Sequence, residues 1–125
     1  MGFSLGSVIL FTRDVNTLKQ FYIVNFNLEL IEEIPSEWAL LSAGVLTLGL
    51  HKIGSAYPPD PSTTVKAENN VKLVFEPDRD LKAVRLDLME RGVLVKEIKS
   101  FENYPYWICD GEDPDGNVFQ LRQKK

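Results

Sequence analysis

Two stretches of this chain read as the same order of elements, strand-helix-strand-strand-strand, and that repetition narrows the folds open to it more than any other feature. In the first stretch Val8 to Thr12 alternates as a strand. Asp14 or Asn16 then caps a helix over about Val15 to Val24, with Leu18, Phe21 and Tyr22 on one stripe. Asn27 stands where a left-handed residue closes a helix. Strands follow over Leu28 to Ile34, Glu37 to Ala43 and Val45 to His51, punctuated by Pro35 and Gly44. After the segment from Ile53 to Asn70 the order restarts. It gives a strand over Val71 to Phe75, a helix over Leu81 to Glu90 closed by Gly92, and strands over Val93 to Ile98, Tyr106 to Gly111 and Val118 to Gln123. Val8 and Leu10 align with Val71 and Leu73 at an offset of 63 residues, and Leu18-Lys19 aligns with Leu81-Lys82 at the same offset. Leu30 pairs with Val95, Leu48 with Phe119 and Leu50 with Leu121. The expected class is α+β.

At 125 residues the chain holds one domain. It divides into a first module over about 5–52, a linker over about 53–69 and a second module over about 70–125. The linker contains Gly54, Ser55, Pro58, Pro59 and Pro61 with little periodicity, which reads equally as a lid or as a crossover between modules. No apolar run approaches the roughly 18 residues of a membrane span, and the start carries no basic-then-apolar signal pattern. Cys109 is the only cysteine, so neither a disulfide framework nor a Cys-based zinc site fits within one chain. A cytoplasmic protein is expected. The net charge of −4, without a Lys/Arg stripe, argues against nucleic acid and leans toward neutral or cationic small molecules, although simple solubility asks for a similar balance.

The sharpest local signal is Asp113-Pro114-Asp115-Gly116-Asn117. Pro114 presets φ, the acidic side chains bond to nearby backbone and Gly116 supplies a positive φ, so this is a hairpin turn. It feeds a strand in which Phe119 and Leu121 face one way and Val118, Gln120 and Arg122 the other. With this turn, the repeat, Asp14, Phe21-Tyr22, and Gly44-x-x-x-Leu48-x-Leu50-His51, essentially the whole chain resembles the glyoxalase / bleomycin-resistance / dioxygenase superfamily, the vicinal oxygen chelate proteins. The resemblance implies two βαβββ modules whose sheets form an incomplete barrel around a groove, helices outside, and pairing into homodimers.

Alternation then divides each strand between core and groove. The groove side receives Ser7, Ile9 and Phe11; Trp38, Leu40 and Ser42; Thr47, Gly49 and His51; Asn70, Lys72 and Val74; Tyr106, Ile108 and Asp110; and Val118, Gln120 and Arg122. In metal-dependent members the resemblance implies His, Gln or Glu at the start of the first and fifth strands and Glu just after the Asp-Pro-Asp-Gly turn. Here those positions read Ser7, Asn70 (Val71 if the register slips by one) and Gln120, with Gly49 the first-module counterpart of Gln120. Ser, Asn and Gln are neutral donors that hold transition metals poorly without an anionic companion. No metal and no other cofactor is expected.

His51 is the only imidazole, and one His with Gln120 is too few for a metal site; the plainer role is a hydrogen-bonding His at a strand end. Cys109 falls on the core face, as an inert thiol rather than a nucleophile. Asp110 and Glu112 are the only candidates for acid–base catalysis, against the alternative of solvated charges or an ion pair with Lys72 or Arg122. Trp107 reads as core, while Trp38 divides between core and groove. The favoured function is binding: Phe11, Trp38 and Tyr106 for apolar or stacking contact, Asp110 and Glu112 for positive charge, and Thr47, His51, Asn70, Gln120 and Arg122 for polar groups. The implied partner is a small amphipathic or cationic molecule, sequestered as in antibiotic resistance. Two alternatives stay open: a lyase, isomerase or dioxygenase with an unusual metal or acid–base site, and a regulatory module with a vestigial groove.

Overall fold

Asp14 starts the first helix through its side chain, whose carboxylate accepts from the Thr17 amide at 3.1 Å and the Thr17 hydroxyl at 2.7 Å. Asp80 repeats the device in the second half, accepting from Ala83 N at 3.3 Å. A computed structural model describes residues 2–53 and 71–125 and places these caps in two equivalent settings. The first comprises β1 (Ser7–Thr12), α1 (Val15–Phe26), β2 (Glu29–Ile34), β3 (Trp38–Ala43) and β4 (Leu46–Lys52). The second comprises β5 (Leu73–Phe75), α2 (Leu81–Glu90), β6 (Leu94–Val95), β7 (Lys99–Ser100), β8 (Tyr106–Glu112) and β9 (Val118–Lys124). The chain divides into two compact units, Met1–Val65 and Lys66–Lys125.

In the first unit the strand order is β1-β4-β3-β2, with β1 parallel to β4 and the other pairs antiparallel. Val15, Leu18 and Tyr22 of α1 are buried with Ala39, Leu41, Leu48 and Leu50, and α1 packs on β3 and β4. Asn27 closes α1 in the left-handed conformation, φ 56°. In the second unit the order is β5-β9-β8-β6, with β7 also on β8, and the core holds Leu81, Leu88, Cys109, Phe119 and Leu121. Asp113 fixes the last hairpin: its carboxylate accepts from Asp115 N and Asn117 N at 2.9 Å each and from Asn117 Nδ2 at 2.8 Å. Among the described residues no helix is long and apolar enough to cross a membrane.

Three expectations change. The repeat offset is not 63. Val8 pairs with Leu48 as Leu73 pairs with Phe119, so the first strands correspond at 65, and the caps Asp14 and Asp80 correspond at 66. Apolar residues recur often enough along strands and helices to align at several neighbouring offsets, whereas caps and strand registers are unique markers. The strand expected over Val93 to Ile98 is only Leu94–Val95, and a second short strand follows it at Lys99–Ser100; from Val95 to Lys99 the chain takes four steps against three on β8, from Gly111 to Ile108. That extra residue is a bulge. Trp107 is not core. It lies level with Gln123, where the chain is only entering α2, and is 43% exposed with Lys125 Nζ 5.3 Å from its ring centre.

Candidate functional site

Each unit leaves the sheet face opposite its helix available, and the two faces differ in chemistry. In the first unit, residues that share a face line up in rows across the strands. Phe11, His51, Trp38 and Ile34 form one row, Ile9, Gly49, Leu40 and Glu32 the next, and Ser7, Thr47, Ser42 and Glu29 the last. Phe11 stands 5.5 Å from His51 between ring centres, and Trp38 stands 5.8 Å from His51 edge-on. Ile9, Phe11 and Ile34 are 47%, 65% and 60% exposed, a large apolar cost for a sheet face unless something is meant to lie on it.

Gly49 explains how the indole of Trp38 reaches across the middle row. A Cβ at Gly49 would stand 2.5 Å from Trp38 Cη2, 2.9 Å from Trp38 Cζ3 and 3.1 Å from Ile9 Cγ1. The ring therefore rests against bare backbone, and Trp38 belongs to this face rather than to the core, half-buried at the start of β3. Thr47 and Ser7 form the polar end, with Ser7 Oγ donating to Thr47 O at 3.1 Å and Thr47 Oγ1 donating to Gly6 O at 3.3 Å.

The second unit's face is built of paired charges. Lys72 Nζ donates to Asp110 Oδ2 and Gln120 Nε2 to Asp110 Oδ1, both at 3.0 Å. Burial works to raise the Asp110 carboxyl, but the bonds from Gln120 and Lys72 together outweigh it and hold the group below its ordinary value. A carboxyl pushed in that direction is a poor proton carrier near neutrality, and its charge is already compensated. Arg122 bonds Glu76 Oε1 through Nη2 at 3.3 Å and lies 4.6 Å over the ring of Tyr106, which contacts Tyr104 at 5.6 Å. Glu112 is half-buried on the same face, opposite Val118. Cys109 is buried behind this face. Desolvation pushes its thiol up against the opposing pull of Arg85, and Sγ donates to Lys96 O at 3.2 Å, both of which disfavour the thiolate.

The structure thus brings Phe11, Trp38, Thr47 and His51 together in one unit, and Tyr106, Asp110, Glu112, Gln120 and Arg122 together in the other. Asn70 lies outside the described residues. Register also changes which residue corresponds to Ser7. With first strands related by 65, the counterpart of Ser7 is Lys72, one residue before β5. Ser7 is a hydroxyl and Gly49 lies against the Trp38 indole in the first unit, while in the second Lys72 is an ammonium bonded to Asp110 and Gln120 an amide that donates to the same aspartate. Among the described residues no three of His, Cys, Asp and Glu gather in a group that could hold a metal ion.

Sequence reasoning missed Ile34, Glu32 and Glu29 as members of the first face. The run Glu29-Leu30-Ile31-Glu32-Glu33-Ile34 does not alternate, because a bulge between Leu30 and Glu32 resets the register within β2. It also missed the contact of Trp38 with Gly49, for which the bare glycine in an otherwise bulky strand was the available signal.

Among solved structures the chain superimposes on TnmS3, an antibiotic binding protein from Streptomyces sp. CB03234, with a TM-score of 0.76 at 24% identity over 100% of this chain and 99% of the other. Lactoylglutathione lyase from Agrobacterium tumefaciens matches with a TM-score of 0.75 at 17% identity, covering 95% of this chain and 92% of the enzyme. An integron cassette protein from the mobile metagenome of V. Cholerae matches at 0.72 and 22% identity, covering 98% and 96%. At these identities the likeness carries the fold alone. No curated protein matches the chain. The model of the Glyoxalase/Bleomycin resistance protein/Dioxygenase superfamily matches residues 4–121, nearly the full length, and the chain belongs to that superfamily.

Proposed function

We propose that this protein is a small-molecule binding member of its superfamily that sequesters an amphipathic or cationic ligand without a metal, in the manner of an antibiotic-resistance protein. The observation that carries the reading is the row of exposed Phe11 and His51 and half-buried Trp38, continued by Ile9 and Leu40, on a sheet face that its own helix does not cover. Aromatic and aliphatic groups held on rigid strands lose little entropy on contact and suit a flat apolar body. The second face, with Lys72 and Arg122 each paired to a carboxylate, spends its charge internally. The fold is shared with an antibiotic binding protein and with an enzyme and by itself favours neither use; the donor chemistry at Ser7, Lys72 and Gln120 and the lowered Asp110 favour the first. We also propose that the protein acts as a homodimer, for which light scattering at micromolar concentration is the direct check.

The test is melting in a panel of planar amines and aromatic antibiotics, alongside elemental analysis of protein purified without chelator. A ligand present at a hundred times its Kd should stabilise by about 2.7 kcal/mol, easily seen as a shift in Tm. A stoichiometric transition metal, or melting that no member of the panel moves, would contradict the reading.

A further inference from the structure

The first unit's face has its hydrogen-bonding polarity already set, and that polarity names a ligand class. His51 Nδ1 lies 2.7 Å from Lys52 O. A carbonyl oxygen only accepts, so Nδ1 carries the proton, and in neutral His51 the exposed Nε2 presents a lone pair. The same logic applies at the other end of the face. Ser7 and Thr47 each commit their hydroxyl proton to a backbone carbonyl, of Thr47 and Gly6 respectively, leaving only oxygen lone pairs for a ligand. Glu32 and Glu29, registered beside Leu40 and Ser42, are acceptors when ionised. Among the described side chains of this face, the indole N–H of Trp38 is the one fixed donor, while the Ser42 hydroxyl can turn either way.

We propose that this face selects planar apolar molecules that carry hydrogen-bond donors — ring N–H, phenolic O–H or amine groups — and discriminates against isosteres that only accept. The inference rests on the binding reading above and narrows its ligand. From His51 to Thr47 along β4 is four residues, roughly 13 Å of strand, so a molecule with donors at both ends of a two- or three-ring body would use both acceptor groups. A charged amine is one such donor, which restores a preference for cations that the pairing of Asp110 with Lys72 removes from the second unit.

Indole, 1-methylindole and benzofuran separate the contributions, since they share one ring shape but offer a donor, neither group, and an acceptor. Titrations followed by the amide and indole resonances of isotope-labelled protein give the three dissociation constants. Indole should bind about three- to ten-fold tighter than either analogue, the factor expected of one neutral hydrogen bond. The advantage should disappear in His51→Phe, which keeps an aromatic ring in the row, or in Thr47→Val if indole binds at the hydroxyl end. Equal constants for the three probes in the native protein would overturn the inference while leaving the binding reading intact. So would an indole advantage that survives both substitutions. Failure of all three probes to bind would overturn both.

Discussion

Gly49 and Asp110 are the residues on which the chemistry of the two faces turns. Gly49 is required by its neighbour: only a residue without Cβ leaves room for the Trp38 ring 2.5 Å from where that atom would stand. The obstructing atoms are the far end of a half-buried side chain, so in Gly49→Ala the indole swings outward at a cost of about 1 kcal/mol. In a Trp107→Phe background, where Trp38 is the one remaining tryptophan, its emission should move to the red, and an unchanged spectrum would contradict the packing. Asp110 acts through charge. Its folded pKa is lowered, so its contribution to stability is complete above the ordinary carboxylate value and is lost as pH falls through the lower folded value, a window below about pH 4. Asp110→Asn should therefore be less stable than the native protein at pH 7 and lose less of its stability between pH 7 and pH 3, measured as urea midpoints. Partial exposure of the pair, 43% for the Lys72 side chain and 29% for Asp110, keeps the effect modest.

At the scale of elements, the termini of the helices were written plainly in the sequence, whereas the strand interruptions were not. Asp14 and Asn27 carry unambiguous chemistry for starting and stopping α1, and the turn at Asp113 to Asn117 fixes the last hairpin by the bonds its residue types promise. The bulges at Ile31 and between Val95 and Lys99 depend on how a strand matches its partner, which no local residue preference reports. The same blindness to partners put Trp107 in the core, since alternation gives the face of a residue but not how far the helix reaches over it. How α2 is anchored was equally hidden. Gln123 of β9 accepts from Leu81 N at 3.0 Å and donates from Nε2 to Arg79 O at 2.7 Å, tying the start of the helix to the sheet across 42 and 44 residues. Gln123→Ala should cost about 1–2 kcal/mol in urea denaturation and speed amide exchange at Leu81. Gln123→Glu, which keeps the acceptor alone, should fall between the two. Equal stability of all three would show that the tie is incidental.

On the scale of the whole molecule, one topology appears twice and its two open faces have diverged. The first retains aromatic rings and lone pairs; the second closes its charges on one another through Lys72, Asp110 and Gln120. The duplication and the fold were readable from element order and the terminal turn, and most of the candidate residues were readable from alternation. What alternation could not supply was the pairing of Asp110, the register that makes Lys72 the counterpart of Ser7, or the row that joins Phe11, His51 and Trp38 across three strands. The central claim, that the first unit's face is a binding platform for a small donor-bearing molecule, is tested most directly by mapping amide shifts during a titration with tryptamine. The largest movements should fall at Ile9 to Phe11, Trp38 to Leu40, Thr47 to His51 and the Trp38 indole N–H. If those signals stay still at millimolar tryptamine, or the movements centre on Lys72, Asp110 and Gln120 instead, the claim is contradicted.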